Sequence, residues 1–138
     1  MQNPEIEFSK WTKWKNREAL KGIRHPGVYL LAHFDVAPDK PANPTTKQII
    51  YIGETCNQNL RKRWYQFNRS AFEGKIGHSG GSTYRQVFDN LDKNLYVAAF
   101  SVDQLDEELQ PFFIRYVERK LIWDFVLQHN AAPVCNRK

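Results

Sequence analysis

Two runs rich in strand-forming residues, GVYLLAHF (27–34) and QIIYIG (48–53), most constrain what this chain can fold into. The first reads as a well-buried strand. Between the runs lies DVAPDKPANPTTKQ (35–48), which has three prolines and few large apolar groups and reads as a surface loop. Strand, loop and strand together predict an antiparallel hairpin with an enlarged connection, and LYVAAFSV (95–102) supplies a third strand. The expected architecture is therefore an α/β sandwich of α+β-like, mixed order: a small central three-stranded, mainly antiparallel sheet flanked by helices.

The remaining segments read as helices and turns. From Ser9, a candidate N-cap, to about Leu20, residues Phe8, Trp11, Trp14 and Ala19 recur at broadly helical spacing with lysines between them. This predicts a short amphipathic helix in a basic extension over residues 1–24. Leu60, Trp64, Phe67 and Ala71 fall at i, i+4, i+7 and i+11, one face of a second helix. GKIGHSGGS (74–82) is glycine-dense and predicts turns or a close backbone approach, with a short helix over TYRQVFDNL (83–91). Asp103 can cap a helix running to about residue 129, but Pro111 would break it, leaving 104–110 as a separate turn. The segment FFIRYVERKLIWDFVLQ beyond it is apolar around most of its circumference and is expected to lie deep against the sheet.

A chain of 138 residues with 41% hydrophobic content suits one domain, and no run approaches the roughly 20 apolar residues of a membrane span. The N-terminus lacks the basic-then-apolar order of a secretory signal, so the expected location is the cytoplasm. Cys56 and Cys135 form neither a CxxC pair nor a zinc set with the four histidines, and read as free thiols. Twenty Lys+Arg against fifteen Asp+Glu give a net charge of +5, which makes a polyanion such as nucleic acid a natural partner. The charge is concentrated at Lys10, Lys13, Lys15, Arg17, Lys21 and Arg24, and again at Arg61, Lys62, Arg63 and Arg69. Trp11 and Trp14 among the first set could stack on bases or could pack against the domain.

Glu118 is the most informative single residue. Its i±4 neighbours are Ile114 and Ile122, so it projects from an apolar face, where a carboxylate must be paired, protonated or bound to metal. A salt bridge to Arg115 or Arg63 would serve equally well. Tyr29 and Tyr51 fall on the two hairpin strands, where hydroxyls on one face could bracket a water. They could also be ordinary strand tyrosines with wet hydroxyls.

Taken together, Gly27-Val28-Tyr29, Tyr51-Ile52-Gly53, a basic helix with Arg63, a helix Glu118 and Asn136 in Pro-Val-Cys-Asn resemble the GIY-YIG nuclease family in order and element type. The resemblance spans residues 27–136, which would form the nuclease core of a single domain. It implies a metal-dependent DNA endonuclease that hydrolyses phosphodiester bonds with a tyrosine-assisted water and one Mg²⁺ (or Mn²⁺). It further implies that Glu118 is the sole protein carboxylate on that ion, that one tyrosine, Tyr29 in preference, assists deprotonation of the water, and that Asn136 steadies the site by hydrogen bonding. For the phosphate-binding arginine, aligning Asn59-Leu60 with the family's usual helix opening selects Arg63, whereas counting rigidly from Gly53 selects Arg61. Either could instead belong to a solvated basic face. His78, in the glycine-dense segment, could contact phosphate, act as a proton carrier, or be an ordinary loop residue.

The segment separating Tyr29 from Tyr51 is longer than the family's short hairpin, so residues 35–48 could form a flap facing DNA or a partner. Double-strand cleavage by one active site would call for a homodimer or for sequential nicking. A catalytically silent nucleic-acid-binding module of the same fold, or an RNA-directed nuclease, remain the alternative readings.

Overall fold

The computed structural model of the chain describes residues 1–88 and 93–137. Its strands are β1 (Thr12–Lys13), β2 (Gly27–His33), β3 (Ile49–Thr55) and β4 (Leu95–Ser101). Its helices are α1 (Leu60–Glu73), α2 (Ser79–Phe88) and α3 (Gln110–His129), with a 3-10 helix over Trp14–Ala19. The strands form one antiparallel sheet in the order β1-β4-β2-β3, which makes this an α+β fold with a four-stranded open sheet. Among the described residues, no helix is long and apolar enough to cross a membrane.

Alternation along β2 divides the core. Val28, Leu30 and Ala32 point to one face, where they meet Ile114, Val117, Leu121 and Phe125 of α3. Tyr29 and Leu31 point to the other, against Leu60, Trp64, Phe67 and Ala71 of α1 and Tyr84 of α2. The α1 stripe is the one its spacing predicts, and the Asn59 side chain caps it by accepting the Lys62 N–H at 2.8 Å. Gly74 ends it at φ +71°, a left-handed conformation that suits glycine.

Four expectations are corrected. The N-terminal segment is not an amphipathic helix, and Ser9 is not a helix cap: its N–H donates to the Ala99 carbonyl at 2.9 Å and its hydroxyl accepts the Ala99 N–H at 3.0 Å. The segment then continues as β1, the fourth strand, which the three-stranded expectation omits. The spacing of Trp11 and Trp14 mimics a helix because the two rings wrap the sheet edge, Trp11 into the α3 side and Trp14 into the α1 side. The break expected at Pro111 is present: the helix begins at Gln110, with Pro111 in its first turn and Leu109 as N-cap, and Asp103 does not cap it. α3 does not lie deep, since only the four residues facing the sheet are buried. Finally, α2 begins inside the glycine-dense segment at Ser79, and residues 89–91 of the predicted helix lie outside the described residues.

The long β2–β3 connection is tied down. Its Lys10–Pro41 bridge, the Ala42 N–H donated to the Ser9 carbonyl at 2.9 Å and the buried Ala42 side chain fasten it to the N-terminal segment. At its far end the His129 ring N–H donates to the Thr45 carbonyl at 2.6 Å, joining the loop to the end of α3.

Candidate active site

Register places Tyr29 opposite Gly53 and Leu31 opposite Tyr51, so the two tyrosines are diagonal neighbours on the α1 side of the hairpin. Their ring centroids are 6.0 Å apart at 49°. Gly53 makes this arrangement fit: a Cβ there would stand 2.5 Å from the Tyr51 ring and 2.7 Å from that of Tyr29. The glycine of the Tyr-Ile-Gly motif is therefore the floor on which both rings lie.

Tyr29 is completely enclosed, with 0% exposure, and burial together with the neighbouring Tyr51 phenol holds its pKa well above the usual value against the opposing charge of Arg63. Tyr51 is half-buried; burial pushes it up to about 12, with Arg63 opposing and Glu118 and Glu54 adding to the rise. Tyr51 is thus the more accessible of the two phenols.

His78 lies in the loop just before α2 but is buried there, 2% exposed, with its backbone N–H donated to Ser70 Oγ at 3.1 Å. Its ring is fixed in one tautomer. The Gly81 backbone N–H, which can only donate, reaches Nδ1 at 3.1 Å, so the ring proton sits on Nε2 and is donated to the Tyr29 hydroxyl oxygen at 2.7 Å. Burial, followed by the charge of Arg63, lowers His78 to about 3, which keeps the ring neutral. In this geometry it neither faces phosphate nor has a ring nitrogen free to take up a proton. Gly80 permits the close approach of α2, because a Cβ there would stand 2.6 Å from the Tyr51 ring.

The two arginines part company. Arg63 acts electrostatically on Tyr29, Tyr51 and His78, and its Nη1 donates to Gln66 Oε1 at 2.8 Å and to the Gly77 carbonyl at 3.2 Å. Gln66 is held in turn by a reciprocal amide pair with Gln58 at 2.9 and 3.2 Å. Arg61 turns to the opposite side of α1, where it forms an ion pair with Glu18 beside a cleft of about 460 Å³ lined by Arg17, Lys62 and Tyr65. That cleft is separate from the tyrosine pair.

Carboxylates approach the tyrosines from the α3 side. Glu118, half-buried, and Glu54, which directly follows Gly53, both act on Tyr51 and on Cys56. The Cys56 thiol donates to Glu54 Oε2 at 2.8 Å and is pushed up to about 12 by burial and by that bond, so it remains a thiol. Among the described residues no three His, Cys, Asp or Glu side chains converge as a metal cage. Zinc, which needs three or four protein ligands, does not fit this donor set. Mg²⁺ does, because it accepts one or two carboxylates and fills its remaining positions with water and phosphate oxygens.

Asn136 is joined to the strand that carries Tyr51. Its side chain accepts the Ile52 N–H at 2.9 Å and donates to the Ile52 carbonyl at 2.8 Å, while the Cys135 N–H donates to the Ile50 carbonyl at 2.8 Å. The fold therefore gathers Tyr29, Tyr51, Arg63, His78, Glu118 and Asn136 around β3 and leaves Arg61 out. Sequence reasoning missed Glu54, Gln58 and Gln66. Only Gln66 carries a local signal, its i+3 position from Arg63 on the same helix. No protein-family model, curated protein or solved structure matches the chain.

Proposed function

We propose that the chain is a metal-dependent DNA endonuclease of GIY-YIG type, acting at the tyrosine pair on β2 and β3. The observation that carries the reading is the meeting of four chemical roles at Tyr51: a second phenol, a guanidinium fixed by Gln66 and Gly77, carboxylates from two elements, and an outer strand edge clamped by Asn136. Arg63 grips the phosphoryl group, since a planar fork with some N–H groups already fixed presents the others in a defined direction. Tyr51 contacts the attacking water, and Tyr29, with its oxygen held by His78, sets the position of the Tyr51 ring. A phenol with a raised pKa is a weak base at neutral pH, so Tyr51 holds and orients the water while nearby positive charge favours its ionisation. Glu118 would hold a Mg²⁺ or Mn²⁺ ion, which would supply charge at the scissile phosphate and lower the pKa of water when bound.

Conversion of supercoiled plasmid to nicked or linear form, with Mg²⁺ or with chelator, tests this. Wild type cuts only with metal, Glu118→Ala does not cut, and Arg63→Ala is slowed by on the order of 10²–10³-fold, as for loss of one transition-state donor. Arg61→Ala stays near wild type. A folded wild-type protein that binds the plasmid without cutting it would leave the binding-module reading, and cutting of an RNA hairpin in preference to plasmid would reassign the substrate.

A further inference from the structure

Helix α3 carries apolar residues on two opposite sides. Ile114, Val117, Leu121 and Phe125 face the sheet, while Phe112, Tyr116, Trp123 and Leu127 stand outward with exposures of 73%, 49%, 59% and 62%. At about 100° per residue these four outward positions fall within roughly 60° of one another, so they form one continuous stripe. Leaving large apolar side chains in water forgoes their burial, and a contiguous set of this kind marks an interaction surface.

Charge identifies the occupant. Around the helix from Glu118, the next outward positions are Arg115 and Arg119, followed by the stripe. Arg115 and Glu118 both act on Cys56, so this flank adjoins the carboxylate side of the active site. A second copy of α3, packed antiparallel so that Phe112 meets Leu127 and Tyr116 meets Trp123, would set Arg119 against Arg119 of its mate, cation against cation. A polyanion suits the guanidinium groups, and the three rings add a surface on which bases stack. Duplex bases are already stacked on one another; unpaired bases are free to do so. The acidic residues Asp106, Glu107 and Glu108 precede the Phe112 end and repel phosphate there, which confines the track to Tyr116, Arg119 and Trp123.

The geometry points to the outer stripe of α3 as a stacking platform for unpaired nucleotides. Resting on the endonuclease reading above, it assigns the site a substrate class: a duplex joined to a single-stranded segment near the scissile phosphate.

The platform is tested without cleavage, by fluorescence anisotropy of labelled oligo(dT) and of a blunt duplex of equal length, in chelator. At 1–3 kcal/mol per stacked base, Trp123→Ala weakens oligo(dT) binding about 5- to 160-fold, Tyr116→Ala/Trp123→Ala weakens it further, and duplex binding changes less than about 2-fold. Trp123→Phe retains most of the affinity. These side chains are exposed, and circular dichroism checks that each variant folds. Unchanged oligo(dT) binding overturns the platform, as does an equal loss for oligo(dT) and duplex. Competition by poly-glutamate at equal charge concentration also overturns it, in favour of an acidic protein partner. A wild-type dimer in light scattering that Trp123→Ala converts to monomer overturns it in favour of a second copy. With Mg²⁺ added, a tailed duplex is cut faster than a blunt one by wild type but not by Trp123→Ala; equal cutting of both by wild type overturns the substrate assignment. Failure to cut either, with the oligo(dT) result intact, overturns the endonuclease reading and leaves the platform standing.

Discussion

At the scale of single residues, His78 shows how burial converts a titratable group into a fixed hydrogen-bond donor. Its folded pKa, lowered from 6.5 to about 3, means that between these values the unfolded chain binds a proton that the folded chain does not. The stability tied to neutral His78 is fully present above about pH 6.5 and is lost as pH falls towards 3, at up to about 1.4 kcal/mol per pH unit. Urea denaturation at pH 7 and pH 4.5 should show wild type losing about 2–3 kcal/mol more than His78→Gln across that interval. Parallel losses in the two proteins would remove His78 as the cause. Residue-scale legibility followed the range of the contact that fixes each role. Tyr29, Tyr51 and Gly53 could be read because strand register is a local matter. The helix opening at Asn59-Leu60 favours Arg63 over Arg61 but does not settle the choice, because what takes Arg61 out of the site is Glu18, 43 positions away. Glu54 went unread because its significance depends on what α3 brings alongside.

At the scale of elements, the decisive contact is the one Asn136 makes with β3 from 84 positions away. Removing its amide leaves both the N–H and the carbonyl of Ile52 without these partners, a cost of about 1–3 kcal/mol. Asn136→Ala should lower the unfolding free energy from urea titration by that much and slow plasmid nicking more than Arg61→Ala does, since Ile52 adjoins Tyr51; an unfolding free energy within about 0.5 kcal/mol of wild type counts against the clamp. Elements with a clear period were legible. The α1 stripe and the stop before Pro111 follow directly from spacing and from proline's missing N–H. α2 was placed too late because Gly80 and Gly81 are poor helix formers. They are kept there because a Cβ at Gly80 would strike the Tyr51 ring and one at Gly81 would stand 2.8 Å from Ser70 Cβ. Packing overrode propensity at the point where the candidate site needed α2 close.

For the whole molecule, the basic N-terminal segment is part of the core. Phe8 and Trp11 fill one side of the sheet, Trp14 fills the other, and the Trp14 indole N–H donates to Asn68 Oδ1 at 2.8 Å. Losing three buried aromatics at about 3–5 kcal/mol each exceeds what a typical domain holds in reserve. A chain beginning at residue 21 should therefore show no cooperative thermal transition by circular dichroism, and a sharp transition would mean that residues 27–136 fold alone. The segment was misread because threading along a sheet edge, with rings to both sides, is a property of the assembled sheet. The same threading bears on how copies behave when crowded. β1 and the Lys10–Pro41 bridge occupy one margin of the sheet, while Cys135 and Asn136 take up the outward groups of Ile50 and Ile52 on the other. Molecules gathered side by side along a charged polymer would meet one another with their strand margins already taken, so local concentration can rise without zipping them into fibres.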